Sequence, residues 1–355
     1  MTAPSPRFRR LVVWTGVATF LLIVVGGVVR VSDSGLGCGP AGSGLNGWPL
    51  CKGDVIPGVD LHAIVEYVHR ALAGAVGIMM IALAVVAWRR YREHRGIVRA
   101  SIAAAGLVVA QGLLGAATVE NNLDELLVAA HLGLAMLLLG LVIYIWRASR
   151  AEAIGAEPPD AGRGLRGLAI GASAAIFCTI VAGGYMAGTQ NYGRADYQLG
   201  DGAHHACGKE FPSCNGDFMP FGESRLVDIH LTHRFFMYVA SALVLALVIV
   251  ALRRRPSRGI VVHAWVALGL LCAQVLVGAL NVWLDEYEVL IVTHLTLGTL
   301  LWASLVGLAL QLYRVPAPAG ARPPAARAEA LFRVSPSPSG VTPPAHPSGS
   351  PFEGA

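Results

Sequence analysis

Charged residues are scarce in this 355-residue chain: Asp, Glu, Lys and Arg together make up 14% of it, whereas soluble domains carry about 25%. Apolar residues reach 55%, and the mean hydropathy is +0.59. A chain with so few charges cannot cover a water-facing surface, which excludes a soluble globular protein. The first apolar stretch has no A-x-A cleavage site after it, so we expect it to be retained rather than removed as a signal peptide.

Long apolar runs recur along the chain, and each can cross a bilayer as a helix of about 20 residues. We predict eight spans, at 11–29, 61–88, 97–119, 126–146, 167–188, 227–252, 260–283 and 289–312. The predicted fold class is therefore an all-α polytopic membrane protein with eight transmembrane helices.

Basic residues concentrate before the first span, in every second connecting loop and after the last span. The positive-inside rule predicts that these segments are cytoplasmic, which makes the chain a multi-pass protein of the cell (plasma) membrane with both termini in the cytoplasm. The pI of 9.0 reflects this topology, and we expect no nucleic acid partner. A polybasic contact with membrane lipid fits the same residues.

An internal repeat organises the spans into two homologous four-helix bundles. Gln111 stands twenty residues before His131 and Gln274 twenty residues before His294, while Gly26-Gly27 matches Gly183-Gly184. Four spans in each half give both halves the same orientation in the membrane. The predicted organisation is a cytoplasmic N-terminus (1–10), an N-terminal half (11–146), a cytoplasmic linker (147–166), a C-terminal half (167–312) and a disordered, Pro/Ala/Ser-rich cytoplasmic tail (313–355).

Four histidines lie inside the predicted spans, where ionisable groups are costly and usually functional: His69, His131, His233 and His294. All four fall about five to eight residues into helices that begin on the outer side, so they share one level. Haem iron accepts a histidine on each side of its plane, which favours the pairs His69 with His131 and His233 with His294. Helix–helix hydrogen bonding is the alternative. No C-x-x-C-H motif is present, which excludes covalent c-type attachment.

The two halves differ beside the first histidine of each pair. Glu66 stands three residues before His69, on the same helix face, whereas His230 stands three residues before His233. A carboxylate beside only one haem could accept or donate a proton, and a carboxylate bonded to loop backbone is the alternative. His62 and His230 could each be a supporting group or an exposed residue.

Arg70 and Arg234 follow the first histidine of each pair. They are candidate contacts for haem propionates, and snorkelling to the membrane surface is the alternative.

Four cysteines fall pairwise into the two long external loops, Cys38 with Cys51 and Cys207 with Cys214. Cysteine pairs on the oxidising side of a membrane form disulfides. The competing interpretation of the second loop is a metal site that adds His204 and His205 to Cys207 and Cys214. We expect Cys178 and Cys272, which lie in spans, to be packing residues.

Residues 8–312 resemble the haem A synthase family, membrane enzymes that oxidise a methyl group of haem O to the formyl group of haem A for cytochrome oxidase. The motifs that carry the resemblance are Val29 to Cys38, Trp48-Pro49-Leu50-Cys51, Glu66-Tyr67-Val68-His69-Arg70, His131, the His-x-x-His-Arg at 230–234, and His294. The sequence departs from the family pattern in the nine residues 39–47, which stretch the run between Cys38 and Trp48.

The resemblance implies that Glu66, His69 and His131 belong to the half that takes haem O as substrate and releases haem A. It implies that His233 and His294 hold a retained haem b, and that both external cysteine pairs are disulfides. The implied partners are haem O synthase (protohaem farnesyltransferase) and cytochrome oxidase assembly factors, and a homo-oligomer stays open. The alternative function is a di-haem b-type, quinol-linked electron-transfer protein, which would need the same four histidines but not Glu66.

Overall fold

The computed structural model describes residues 4–150, 154, 162–189, 202–284 and 287–316. Within these ranges the chain forms eight long helices and no strands beyond isolated bridges. The helices are α1 (Pro6–Val31), α2 (Leu61–Arg90), α3 (Arg95–Glu120), α4 (Glu125–Ala148), α5 (Gly162–Gly188), α6 (Arg225–Arg254), α7 (Arg258–Trp283) and α8 (Glu288–Gln311). All eight are long and apolar enough to cross a membrane, which confirms the predicted fold class.

The helices extend beyond the predicted spans at twelve of their sixteen ends, since helix ends lie among polar residues outside the apolar stretches. The Ser5 hydroxyl accepts a hydrogen bond from the Phe8 amide, and Pro6 occupies the first turn, so α1 begins five residues before the predicted span. The Asp60 and Asp124 carboxylates cap α2 and α4 in the same way. The predicted tail lies outside the described residues from 317 onward.

The helices pack as two rings of four. In the first ring α1 and α3 each contact α2 and α4, and in the second α5 and α7 each contact α6 and α8. The two rings meet through α4 against α5 and through α8 against α1 and α4. The domain boundaries predicted for the two halves stay a prediction, since the described residues belong to one compact unit.

The seam between the rings carries a reciprocal contact. A Cβ built on Gly27 would lie 2.6 Å from Cδ2 of Leu295, and a Cβ on Gly184 would lie 3.0 Å from Cδ2 of Leu132. Gly27 matches Gly184 in the repeat, and Leu132 matches Leu295. The same pair of positions therefore meets twice, as expected of two similar units related by a two-fold axis. This seam holds the fourth helix of each half beside the first helix of the other.

Two disulfide-bonded loops cover one face of the bundle, which we call the cap face. Cap one comprises residues 32–60 and cap two residues 202–224. The opposite, basic face carries the Arg-rich ends of the helices, among them Arg89, Arg90, Arg253 and Arg254.

Candidate functional site

The four predicted histidines lie at one level below the cap face. His69 and His233 stand eight residues into α2 and α6, and His131 and His294 stand six residues into α4 and α8. The rings of His233 and His294 lie edge to face, with their centres 6.3 Å apart and their planes 62° apart. His69 and His131 lie close enough to interact electrostatically. The structure thus brings together both pairs that the repeat suggested.

A glycine of the preceding helix lies against each of the four imidazoles. A Cβ built on Gly26 or Gly115 would come within 3.2 Å of Cε1 of His69 or His131, respectively. In the second half the corresponding distances are 3.0 Å from Gly183 to His233 and 2.8 Å from Gly278 to His294. Ordinary carbon–carbon contacts are about 3.5–4.0 Å, so any larger residue would press on the ring. In the sequence, Gly26 and Gly183 served only to align the repeat, and the contact of all four glycines with the imidazoles was missed.

Hydrogen bonds orient the rings differently in the two halves. Nδ1 of His233 lies 2.9 Å from the Thr179 carbonyl, and Nε2 of His294 lies 3.1 Å from the Gln274 amide nitrogen. The matching Gln111 instead donates to the backbone carbonyl of His131 at 2.8 Å. The Nδ1 atoms of His69, His131 and His294 are buried without a hydrogen-bond partner.

The rings of His233 and His294 are spaced so that both could hold one haem. Their centres lie 6.3 Å apart, which leaves room for a metal at about 2.0 Å from one nitrogen of each ring. At His294 the nitrogen without a partner is Nδ1, because Nε2 contacts Gln274. The Thr179 carbonyl can take the Nδ1 proton of His233, which leaves Nε2 free as a ligand atom. Buried ring nitrogens without partners at the other histidines are also consistent with a ligand that supplies the missing bond.

Glu66 anchors cap one to α2. One carboxylate oxygen accepts a hydrogen bond from the Cys38 amide at 2.7 Å, and the other pairs with Arg70. The Arg70 guanidinium also donates to the carbonyls of Gly47, at 2.6 Å, and Leu50, at 3.1 Å. Glu66 is only 3% exposed and is the only buried Asp or Glu in the part of the chain that the structure describes. The bond to loop backbone, considered as an alternative role, is therefore present.

Cap two repeats this network with different chemistry. His230 replaces Glu66, and its Nδ1 lies 2.8 Å from the Ala203 carbonyl. Arg234 donates to the carbonyls of Glu210 and Ser213, which lie 163 residues after the two that Arg70 binds. Arg70 and Arg234 thus donate hydrogen bonds to backbone carbonyls at matching positions of the two caps. Their predicted contact with haem propionates stays a prediction.

Both caps contain a disulfide, Cys38–Cys51 and Cys207–Cys214. The second one occupies both sulfurs of the proposed metal site with His204 and His205. Among the described residues no cluster of three or more His, Cys, Asp or Glu is arranged to hold a metal ion. The alternative of a metal site in cap two is therefore wrong in this structure.

At the edge of cap one, Asp60 begins α2 and pairs with Lys52. The hydrogen bond from Lys52 and those from the first helical amides lower the pKa of Asp60 below its usual range. Asp33, at the end of α1, is partly buried, and this burial raises its pKa against the opposing charges of His62 and Arg30. His62 contacts the Ser34 hydroxyl through Nδ1 at 3.2 Å, so it supports cap one.

Comparisons with known proteins identify relatives of this chain. A family model described as "Cytochrome oxidase assembly protein" matches residues 60–306. A protein named "Heme A synthase" from Halalkalibacterium halodurans is 33% identical over 242 residues, which cover 67% of this chain and 72% of that protein. Proteins of the same name from Shouchella clausii and Symbiobacterium thermophilum are 29% and 31% identical, over 75% and 76% of this chain and 83% and 84% of their own lengths.

Proposed function

The chain belongs to the cytochrome oxidase assembly protein family, and on that basis we propose that it is a haem A synthase, a membrane oxidoreductase that converts the C8 methyl group of haem O to the formyl group of haem A. The observation that carries this proposal is the asymmetry of the repeat. Both halves present a pair of imidazoles at one level, but only the first half has a buried carboxylate, that of Glu66, three residues before the first histidine of its pair.

In the second half, we assign His233 and His294 as the residues that would hold a resident haem b. Bound there, this haem supplies one-electron transfer. Thr179 and Gln274 orient the two rings, and Gly183 and Gly278 admit them close to the neighbouring helices. The 6.3 Å separation of the rings supports the assignment.

In the first half, we assign His69 and His131 to hold haem O, the substrate. Gly26 and Gly115 hold these rings as their counterparts do in the second half. The apolar surroundings of α1 to α4 suit a substrate with a hydrocarbon tail, and entry from the bilayer needs no passage through water.

Glu66 is the proposed catalytic residue, which takes up or delivers a proton as the methyl group is oxidised. It stands three residues before His69 on the same face of α2. Burial excludes competing water, and Arg70 and the Cys38 amide hold its two oxygens in place.

Arg70 and Arg234 each have five N–H donors, of which the cap carbonyls use only some. Nε of Arg234 is buried and has no hydrogen-bond partner. We propose that their remaining donors contact the haem propionates, so that each arginine joins its cap to the haem below it.

We also propose a location and partners for the protein. We place the protein in the plasma membrane, with its basic face on the cytoplasmic side. Its cap face then lies on the oxidising outer side, where the two disulfides are stable. Haem O synthase supplies the substrate, and cytochrome oxidase assembly factors receive the product.

Replacing Glu66 with Gln tests this function, because Gln keeps the size of the side chain but cannot carry the proton. We expect haem A formation to fall to background while haem stays bound, as measured by mass analysis of haem extracted from the purified variant. Glu120→Gln is the matched control, since Glu120 also accepts a backbone bond from cap one, at the Gly42 amide (3.0 Å). Full activity of Glu66→Gln would reject the role of Glu66.

A further inference from the structure

The two caps share a turn that sequence alignment of the helices did not reveal. Residues 51–54 (Cys-Lys-Gly-Asp) and 214–217 (Cys-Asn-Gly-Asp) each close with a bridge between the Cys and the Asp. The second and third residues of both turns have matching positive φ angles, 54° and 87° in cap one and 53° and 88° in cap two. The repeat therefore extends into the loops, at an offset of 163 residues.

Directly after this turn, both caps present large apolar side chains. We call Val55 and Ile56 tip one, and Phe218 and Phe221 tip two. Val55 and Phe218 occupy matching positions and are 73% and 70% exposed, and Ile56 is 71% exposed. Burying such a side chain is worth about 1.5–3 kcal/mol relative to leaving it in water, so two exposed tips at matching places indicate a covering apolar medium.

The position of tip two along α6 points to lipid as this medium. The ring of Phe218 lies 5.8 Å from the ring of Tyr238. Tyr238 stands fifteen residues before Arg253, the exposed arginine at the basic end of α6. At 1.5 Å per residue this is about 22 Å, less than the roughly 30 Å thickness of the hydrocarbon core. Tyr238 therefore lies within the length of α6 that can cross the bilayer, and Phe218 lies beside it with most of its surface uncovered by protein.

We propose that both tips insert into the lipid leaflet on the cap face and anchor the caps in the membrane. On the same helix, three residues before Tyr238, Phe235 is also 49% exposed, and its ring lies 5.7 Å from the ring of Phe236. Aromatic side chains are enriched at this level of membrane proteins. Tip one reaches the same depth beside α2 because it follows the same turn and its cap is held by the matching arginine.

The arginine contacts explain how a loop reaches this depth. Arg234 stands nine residues into α6 and binds the cap two carbonyls of Glu210 and Ser213, which draws the loop down the side of the helix. Arg70 does the same nine residues into α2. The polar carbonyls are thus satisfied by protein, as the bilayer requires, and the apolar tips face lipid. The inference does not depend on the catalytic role of Glu66.

Spin labels on the full chain in phosphatidylcholine–phosphatidylglycerol vesicles test the proposal. Cys178 and Cys272 are first replaced by Ser, and single labels are placed at Phe218→Cys and Val55→Cys. Relaxation by oxygen, which partitions into lipid, is compared with relaxation by a water-soluble nickel chelate. Leu245→Cys on the exposed face of α6 is the lipid reference, and Asn121→Cys, in the exposed turn after α3, is the water reference.

We expect the ratio of oxygen accessibility to nickel accessibility at both tips to be closer to that of the lipid reference, Leu245→Cys, than to that of the water reference, Asn121→Cys. Ratios at the level of Asn121 would place the tips in water and overturn the proposal. Low accessibility to both reagents would also overturn it, because it would mean that protein covers the tips. Ile56→Cys and Phe221→Cys serve as second variants if a primary variant does not fold, as judged by its haem absorbance.

Discussion

The glycines beside the four imidazoles offer the sharpest test of how the site is built. Replacing Gly278 with Ala would bring a Cβ to 2.8 Å from Cε1 and 3.4 Å from Nδ1 of His294. An ordinary carbon–carbon contact needs about 3.5–4.0 Å, so the ring must move back by roughly 0.7 Å or more. A metal–imidazole bond of about 2.0 Å cannot stretch by that amount.

Overpacking of this size costs about 1–3 kcal/mol, which corresponds to roughly a 5- to 150-fold weaker hold on haem b. The overlap is smaller at Gly183, where the distance is 3.0 Å, and smallest at Gly26 and Gly115, where it is 3.2 Å. We therefore expect haem loss to follow the order Gly278→Ala, then Gly183→Ala, then the two substrate-half variants.

Haem content per protein and the absorbance spectrum of the purified variants measure this effect. Gly269→Ala in α7 is the matched control, because a Cβ there meets no atom within 4 Å. That variant should keep its haem and gain slightly in stability, since Ala favours helix more than Gly. A folded Gly278→Ala protein with the haem content and spectrum of the parent would refute the reasoning.

Three further predictions concern the caps and the seam. Arg234→Lys replaces the guanidinium that donates to two cap carbonyls with a single ammonium group. The free energy of unfolding should therefore fall by about 1.5–3 kcal/mol, and limited proteolysis should cut cap two sooner. An unchanged cleavage rate would argue against the role of Arg234 in holding cap two. Gly27→Ala should lower the stability of the protein in thermal unfolding by about 1–3 kcal/mol, because the new methyl group would clash with Cδ2 of Leu295. Adding Leu295→Val, which removes that atom, should restore the lost stability. A double variant as unstable as Gly27→Ala alone would contradict the reciprocal contact. The pKa of Asp60 is lowered in the folded protein, so its ionised form stabilises the fold when the pH is above the ordinary pKa of a carboxyl group. This contribution is lost as the pH falls below about 4. Lys52→Ala should shrink this pH-dependent loss in unfolding scans, and an identical pH profile would show that the pair contributes nothing.

The spans and the level of the histidines could be predicted from the sequence because the bilayer imposes a fixed length. Apolar runs locate the helices, and counting residues from their ends places His69, His131, His233 and His294 at one depth. Helix ends were predicted less well, since the Ser5 cap and Pro6 lie among polar residues that hydropathy excludes from a span.

The neighbours of the histidines could not be predicted, because they depend on how the helices pack. Gly115 and His131 are sixteen residues apart on different helices, and nothing in the spacing shows that the ring lies on the glycine. The turn shared by the caps is visible in the sequence as Cys-x-Gly-Asp at 51–54 and 214–217, but the rest of the two loops differs in length and composition, which conceals the repeat. The bonds of Arg70 and Arg234 to cap carbonyls depend on loop paths that the sequence pattern does not specify.

Analysis of the haems extracted from the purified wild-type protein tests the central claim most directly. Haem A synthase activity predicts two kinds of haem by mass: haem b, and a farnesylated haem whose C8 substituent is oxidised. Loss of haem b from the His294→Ala variant, with the farnesylated haem retained, would assign each to its half. Protein that contains haem b alone, after expression together with haem O synthase, would contradict the account and favour the di-haem electron carrier.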